Sequence, residues 1–319
     1  MNLDRSQIAV TSRSFCKNST LKRELLARYP NVKFNDEGRI LDGAELVAFL
    51  GGCEKVVSGL EIFNDKVLSQ LPGLKVIAKY GVGLDMLDLD ALSKHGVKLG
   101  WTGGVNRRSV SELTLMFALA LLHRVPPAHT ELRAKVWRQH IGNLLTGKTF
   151  GIIGSGHVGK DLIRLLQPFD CKIQVFDTRR YDEFWSEFKV GFVSLADLLK
   201  TSDVISLHVP LDGTTRGMLG PEQLEMMKSN AYLINCARGN LIDEEALYEF
   251  LRDRKIAGAA FDVFAVEPAP NQELIDLPYF LCTPHIGGSA EEAMLAMGRA
   301  AIDGLEDHLT IEEFRKIYP

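Results

Sequence analysis

The sequence predicts an α/β protein made of two parallel-sheet domains, one inserted in the other. Three observations carry that expectation. Short β-branched runs alternate with helix-like segments, the pattern of parallel strands joined by helical crossovers. A glycine-rich turn, Gly154-Ser155-Gly156-His157-Val158-Gly159, opens a second and more strongly marked series near the middle of the chain. The length, 319 residues, also exceeds the roughly 250–300 at which one hydrophobic core stops growing.

The first series starts with a strand over 8–10. A helix follows from Asn18 or Ser19 through Leu21, Leu25 and Leu26 to Tyr29, where Pro30 stops it. Strand 32–34, helix 44–50, strand 55–58, helix 64–71, strand 75–80, helix 88–94 and strand 97–101 complete the series. Residues 106–122 then form a long helix, apolar on most sides, and an amphipathic helical segment reaches His140. Such a helix must be buried by more than one surface, so we expect 103–140 to bridge the domains and to support a homodimer.

The second series places strands at 150–154, 172–177, 204–209, 232–236, 257–263 and 280–283. Helices fall at 157–166, 194–200, 221–227 and 243–252, and a long last helix from Ser289 returns to the first domain. The first domain is therefore expected to be 1–102 completed by 290–319, and the inserted one 103–289.

Bulk properties narrow the function classes. With 46% hydrophobic and 24% charged residues, the composition is that of an ordinary globular protein. A net charge of −4 gives no general attraction to nucleic acid or to anionic membranes. The five cysteines are scattered with no Cys-x-x-Cys pair, which suggests neither a disulfide framework nor a zinc site. Met1 to Val10 does not read as a signal peptide, and no apolar run approaches the roughly 18 residues of a membrane span. The expected compartment is the cytoplasm.

Gly154, Gly156 and Gly159 have the spacing of a dinucleotide-binding turn. The first permits the tight turn, the second lets backbone approach a pyrophosphate, and the third lets helix and strand pack closely. His157 and Val158 begin the helix whose free N–H groups would face the phosphates. The next strand ends on Asp177, at about the 20-residue spacing of a carboxylate that binds ribose hydroxyls. Both domains are thus expected to be Rossmann-like or flavodoxin-like. Asp177 favours NAD, because its charge opposes a 2′-phosphate. NADP stays open because Arg179 and Arg180 follow closely.

Three further polar residues lie at strand ends of the second series: Arg238 in Ala237-Arg238-Gly239, Glu267 before Pro268, and His285 after Pro284. Ligands of open α/β sheets bind beyond the carboxyl ends of strands, so these segments can converge. With Gly81-Val82-Gly83-Leu84-Asp85 and His285-Ile286-Gly287-Gly288-Ser289, they make the sequence resemble the D-isomer-specific 2-hydroxyacid dehydrogenases over nearly its whole length. The phosphoglycerate dehydrogenase branch is the most similar.

The resemblance implies an oxidoreductase that moves a hydride between nicotinamide and C2 of a small 2-hydroxy or 2-keto acid. His285 would be the acid–base group, since an unperturbed imidazole titrates near 6.5. Glu267 would orient it and favour its charged form. Arg238 would hold the substrate carboxylate and polarise the carbonyl, a forked geometry that lysine cannot copy. The resemblance also implies that Val82 and Gly83 bind the substrate carboxylate through backbone amides, a nest suited to an anion. Asp262 matches a position contacting the nicotinamide carboxamide, and His208, Val209 and Pro210 match the loop lining the cofactor's ribose. Ala237 and Gly287 are expected among the cofactor contacts. Arg108, in Asn106-Arg107-Arg108, could receive a second anionic group such as a phosphate, or could serve cofactor or solvent. No metal is implied. A nucleotide-sensing protein of the corepressor kind is the alternative on this fold; the intact Arg238, Glu267 and His285 set favours the enzyme.

Overall fold

A computed structural model describes residues 6–318. They fall into two compact units: one runs to Asn106 and resumes at Ser289, and the other is Arg107–Gly288.

The first unit holds five parallel strands: β1 (Ile8–Val10), β2 (Val32–Phe34), β3 (Lys55–Ser58), β4 (Val76–Lys79) and β5 (Lys98–Gly100), in the order β2-β1-β3-β4-β5. This is the flavodoxin-like arrangement, whose strand order reverses between β1 and β3. The central strands β1, β3 and β4 are buried because helices cover both faces. Leu46, Phe49, Leu68 and Leu92 pack one side, and Leu21, Leu25, Met297 and Ile302 pack the other. Helix Ser19–Arg28 starts where expected because the Asn18 side chain accepts from the Thr20 and Leu21 N–H groups, both at 3.1 Å.

The second unit carries β6 (Thr149–Ile153), β7 (Lys172–Phe176), β8 (Gly191–Phe192), β9 (Val204–Leu207), β10 (Tyr232–Asn235), β11 (Gly258–Phe261) and β12 (Phe280–Cys282). All are parallel, in the order β12-β11-β10-β9-β6-β7-β8. That is the doubly wound nucleotide-binding order, reversing between β6 and β9. Strands β9, β10 and β11 are buried along their whole length, as strands covered on both faces must be.

Several elements differ from expectation. The last helix is two, Glu291–Asp303 and Ile311–Ile317. The break falls at Gly304, whose backbone lies so close to Gly100 that a side chain at Gly100 would collide with it. Helix Val125–Arg133 stops short of His140. Beyond it Trp137 and Ile141 are 84% and 94% exposed, so in this chain no apolar surface pays for continuing the helix. Instead Glu131 holds Arg138 at 3.2 Å and His140 at 2.9 Å. Strand β8 and helices Arg13–Lys17, Asp182–Glu187 and Gln272–Ile275 were not expected at all. None exceeds six residues, too short for a periodic signal.

Candidate active site

The reversal between β6 and β9 brings the Gly154 turn against the loop after β9. Gly154 has φ +91°, and a Cβ there would lie 2.7 Å from the His208 carbonyl oxygen and from Val209 Cγ1. A Cβ on Gly159 would strike the Gly154 carbonyl, whereas one on Gly156 would meet nothing within 4 Å. Two of the glycines are thus demanded by packing, and the middle one leaves backbone open to a ligand. Helix His157–Leu166 begins at Gly156 without a side-chain cap, so its first N–H groups remain for an anion. These features fit a dinucleotide pyrophosphate.

Asp177 follows β7 at the edge of this turn. Its Oδ2 accepts from Ser155 N at 2.6 Å and Ser155 Oγ at 2.9 Å, and its Oδ1 from Arg179 N at 2.9 Å. Arg180 donates to Asp182 Oδ1 from Nε at 3.0 Å and Nη2 at 2.5 Å, and stacks 4.3 Å from the Phe192 ring centre. Burial, then Arg107 and Lys160, lowers the His157 pKa. Burial also pushes the His208 imidazole down to about 3, and its Nε2 lies 3.0 Å from Ser206 Oγ.

Arg238, Asp262, Glu267 and His285 follow the carboxyl ends of β10, β11 and β12. His285 Nδ1 lies 2.9 Å from Glu267 Oε2 and 3.2 Å from Oε1. A carboxylate can only accept, so Nδ1 carries the proton and Nε2 is left to exchange one. Both side chains are half-exposed. Glu267 is steadied by the Phe264 N–H, which donates to its Oε1 at 3.1 Å, and the Glu267-Pro268 bond is cis. At Arg238, Asn235 braces the turn: its Nδ2 donates to the Arg238 carbonyl at 2.8 Å and its Oδ1 accepts from Ala237 N at 3.1 Å. The guanidinium donates to the Ala237 carbonyl at 2.6 Å. Gly239 abuts the Phe264 carbonyl so closely that a Cβ would collide, which joins the Arg238 turn to the Glu267 loop.

Asp262 is 1% exposed, and its carboxylate faces the loop that carries His285. Oδ1 accepts from Thr283 Oγ1 at 2.5 Å and Ile286 N at 2.7 Å, and Oδ2 from Gly287 N at 2.7 Å. The His285 N–H donates to the Asp262 carbonyl at 2.8 Å, and His285 itself has φ +55°, a left-handed conformation that a non-glycine residue adopts only when its surroundings hold it there. Sequence reasoning did not single out Thr283, Asn235 or Glu244. Glu244 Oε1 accepts from Ala265 N at 2.7 Å, anchoring the Glu267 loop. Its carboxyl is raised by burial first and then by Asp243 and Glu267. In sequence it reads as a plain first-turn acid of a helix capped by Asp243.

In the first unit, Gly81 takes φ +116° after β4, and the Val82 carbonyl accepts from Trp101 Nε1 at 3.1 Å. In the second, Arg108 Nη2 lies 3.1 Å from Oδ1 of the buried Asp161. Among the described residues, no cluster of three His, Cys, Asp or Glu is placed to hold a metal, and no helix is long and apolar enough to cross a membrane.

A doubly wound sheet with this glycine turn defines the class as dinucleotide-binding, and a polar set of Arg238, Asp262, Glu267 and His285 lies at the strand ends of the same sheet. Residues 115–287 match the model of the D-isomer specific 2-hydroxyacid dehydrogenase NAD-binding domain. The chain is 36% identical to the glyoxylate reductase of Thermococcus litoralis, over 76% of each. It is 35% identical to the D-3-phosphoglycerate dehydrogenase of Bacillus subtilis over 73% of its own length but only 45% of that protein's, so it spans about half of that relative. A D-lactate dehydrogenase of Aquifex aeolicus, solved with NAD and lactic acid, superposes with a TM-score of 0.82 at 25% identity, covering 97% of this chain and 95% of that one. The chain belongs to the D-isomer specific 2-hydroxyacid dehydrogenase family, and its nucleotide is NAD.

Proposed function

We propose that this chain transfers a hydride between NAD and C2 of a small D-2-hydroxy acid or the corresponding 2-keto acid. The observation that carries this reading is the His285–Glu267 pair, 2.9 Å apart at strand ends of the sheet that also carries the glycine turn. Bound nicotinamide supplies the hydride acceptor or donor. In this reading His285 Nε2 takes the proton from the C2 hydroxyl, or returns it to the carbonyl oxygen during reduction. Glu267 keeps the ring oriented and offsets the imidazolium that each transfer creates. The Arg238 guanidinium leaves the Ala237 carbonyl to grip the substrate carboxylate and polarise the carbonyl. In the first unit, the Val82 and Gly83 amides form a nest suited to an anion such as a carboxylate. Arg108 donates to the buried Asp161 through Nη2, and the reading rests on the substrate's carboxylate alone.

For the cofactor, Asp177 turns from Ser155 to the ribose hydroxyls, with His208, Val209, Pro210 and Ala237 lining the nucleotide. Asp262 serves the nicotinamide side chiefly by holding the His285 loop, since both of its oxygens are already engaged. We further propose that the exposed apolar stretch around Trp137, Ile141 and Leu144 is covered by a second copy of the chain.

The test is NADH oxidation across a panel of 2-keto acids with wild type and His285→Ala. Wild type should turn over at least one small 2-keto acid. His285→Ala should lose about 100-fold or more in kcat, the range of a general acid–base group, while binding NADH unchanged. Full activity in the variant would remove His285 from the chemistry. Tight NADH binding with no turnover by wild type would favour a nucleotide sensor.

A further inference from the structure

The strand order of the first unit reverses between β1 and β3, and ligands of open α/β sheets bind beyond the carboxyl ends of the strands at such a reversal. Thr11 and Ser12 leave β1 there, and Gly59 to Glu61 leave β3. Glu61 Oε2 accepts from Thr11 Oγ1 at 2.7 Å, Gly59 N at 2.7 Å and Ser58 Oγ at 3.1 Å. Its other oxygen, Oε1, accepts from none of the described residues, and the side chain is only partly buried. One oxygen is pinned three times over, so the other is held in a fixed place with its lone pairs open.

The cation against this loop, Lys79, is already engaged. Lys79, 4% exposed, donates to the Gly59 carbonyl and, at 3.4 Å, to the Tyr80 carbonyl. Its Nζ lies 3.7 Å from where a Cβ on Gly81 would stand, so one ammonium touches both the Glu61 loop and the Gly81-Val82-Gly83 turn. Strands β3 and β4 pair up to Ser58 and Lys79, so the two loops leave neighbouring strands about 4.8 Å apart. The Glu61 carboxylate and the Gly81-Val82-Gly83 turn thus lie on adjacent loops at the carboxyl edge of one sheet, with the engaged Lys79 ammonium against both.

We infer that Glu61 reads the substituent beyond C2, accepting a hydrogen bond from a hydroxyl there and turning away a phosphate. This rests on the proposed dehydrogenase reading and on the amide turn as the carboxylate site. A hydroxyl supplies the donor that Oε1 lacks, whereas a phosphate brings like charge against it.

The experiment compares kcat/KM with NADH for glyoxylate, which has no substituent beyond C2, for hydroxypyruvate, and for 3-phosphohydroxypyruvate. Glu61→Gln keeps a neutral oxygen for the three pinning donors. Wild type should favour hydroxypyruvate over its phosphate by at least about tenfold, and Glu61→Gln should narrow that ratio by about tenfold, mainly through gain on the phosphate. Glyoxylate turnover should change by less than about threefold. Thr11→Val, which loosens the same latch but keeps the charge, should hold the wild-type ratio. Glyoxylate turnover with an unchanged ratio in Glu61→Gln, an equal shift in Thr11→Val, or wild-type preference for the phosphate each overturns the inference alone. No turnover of any of the three overturns the dehydrogenase reading and this one with it.

Discussion

At position 285 a histidine is held at φ +55° because Thr283 before it and Ile286 and Gly287 after it are tied to one buried carboxylate. The residue type and its Pro284 neighbour were legible in the sequence; the strained backbone and the anchor were not, because Asp262 lies more than twenty positions away. Arg108 shows the same limit. Its contact with the buried Asp161 is invisible in the sequence, because no local pattern reveals which cation lies against a buried carboxylate. His208 gives a pH prediction at this scale. Its folded pKa, about 3, lies below the ordinary histidine value of 6.5, so the unfolded chain takes up the proton first. The stability it contributes is complete above about 6.5 and is lost as pH falls toward 3. His208→Gln removes this dependence. Its melting temperature should fall less than that of wild type between pH 7 and pH 4, and parallel acid curves would show that His208 titrates normally.

The strands of the second sheet were visible as apolar runs because both faces are covered, and their expected ends lay within about two residues of the observed ones. Elements at the sheet edge escaped: β8 has two residues, paired only through Gln174 and Val175. Helices were legible where a cap and a buried stripe coincide, as in Glu244–Arg252 behind Asp243. The loop from Thr283 to Gly287 has neither signal, since its shape comes from three donors converging on Asp262. Asp262→Asn replaces one accepting oxygen with a donor facing the Ile286 or Gly287 amide, a mismatch costing about 1–3 kcal/mol when buried. With saturating NADH, kcat should drop about 10- to 100-fold and its pH profile should shift, because the His285–Glu267 alignment depends on this loop. The NADH dissociation constant should change far less. A large loss of NADH affinity with kcat intact would make Asp262 a cofactor contact and leave the loop to stand by other means.

The two sheet orders follow from the crossover rule: right-handed strand–helix–strand connections, repeated with one reversal per sheet, give parallel sheets buried on both faces. The alternation of strands and helices made this architecture legible before any residue was assigned a role. The stretch 103–140 is expected from sequence to be helical and to support a homodimer, and after Arg133 the helix ends. Beyond that end it leaves large apolar side chains in solvent, which suits a partner surface. Trp137→Asp with Ile141→Asp should convert a dimer to a monomer in sedimentation at micromolar concentration and leave NADH binding in place. A wild-type chain that sediments as a monomer at that concentration would refute the proposed self-association.

The split first unit also has a consequence for synthesis. Everything from Arg107 to Gly288 leaves the ribosome before Ser289 does, so the uninterrupted unit can close while the other still lacks a wall. The missing piece includes helix Glu291–Asp303, where Gly298 is packed so tightly on Leu21 that a side chain there would collide with it. At about 5–20 residues per second, Leu21 and its neighbours wait on the order of ten seconds or more for that cover. The nascent chain therefore passes through a stage with one finished nucleotide fold and one open apolar sheet, and that sheet is where a chaperone would be expected to hold it.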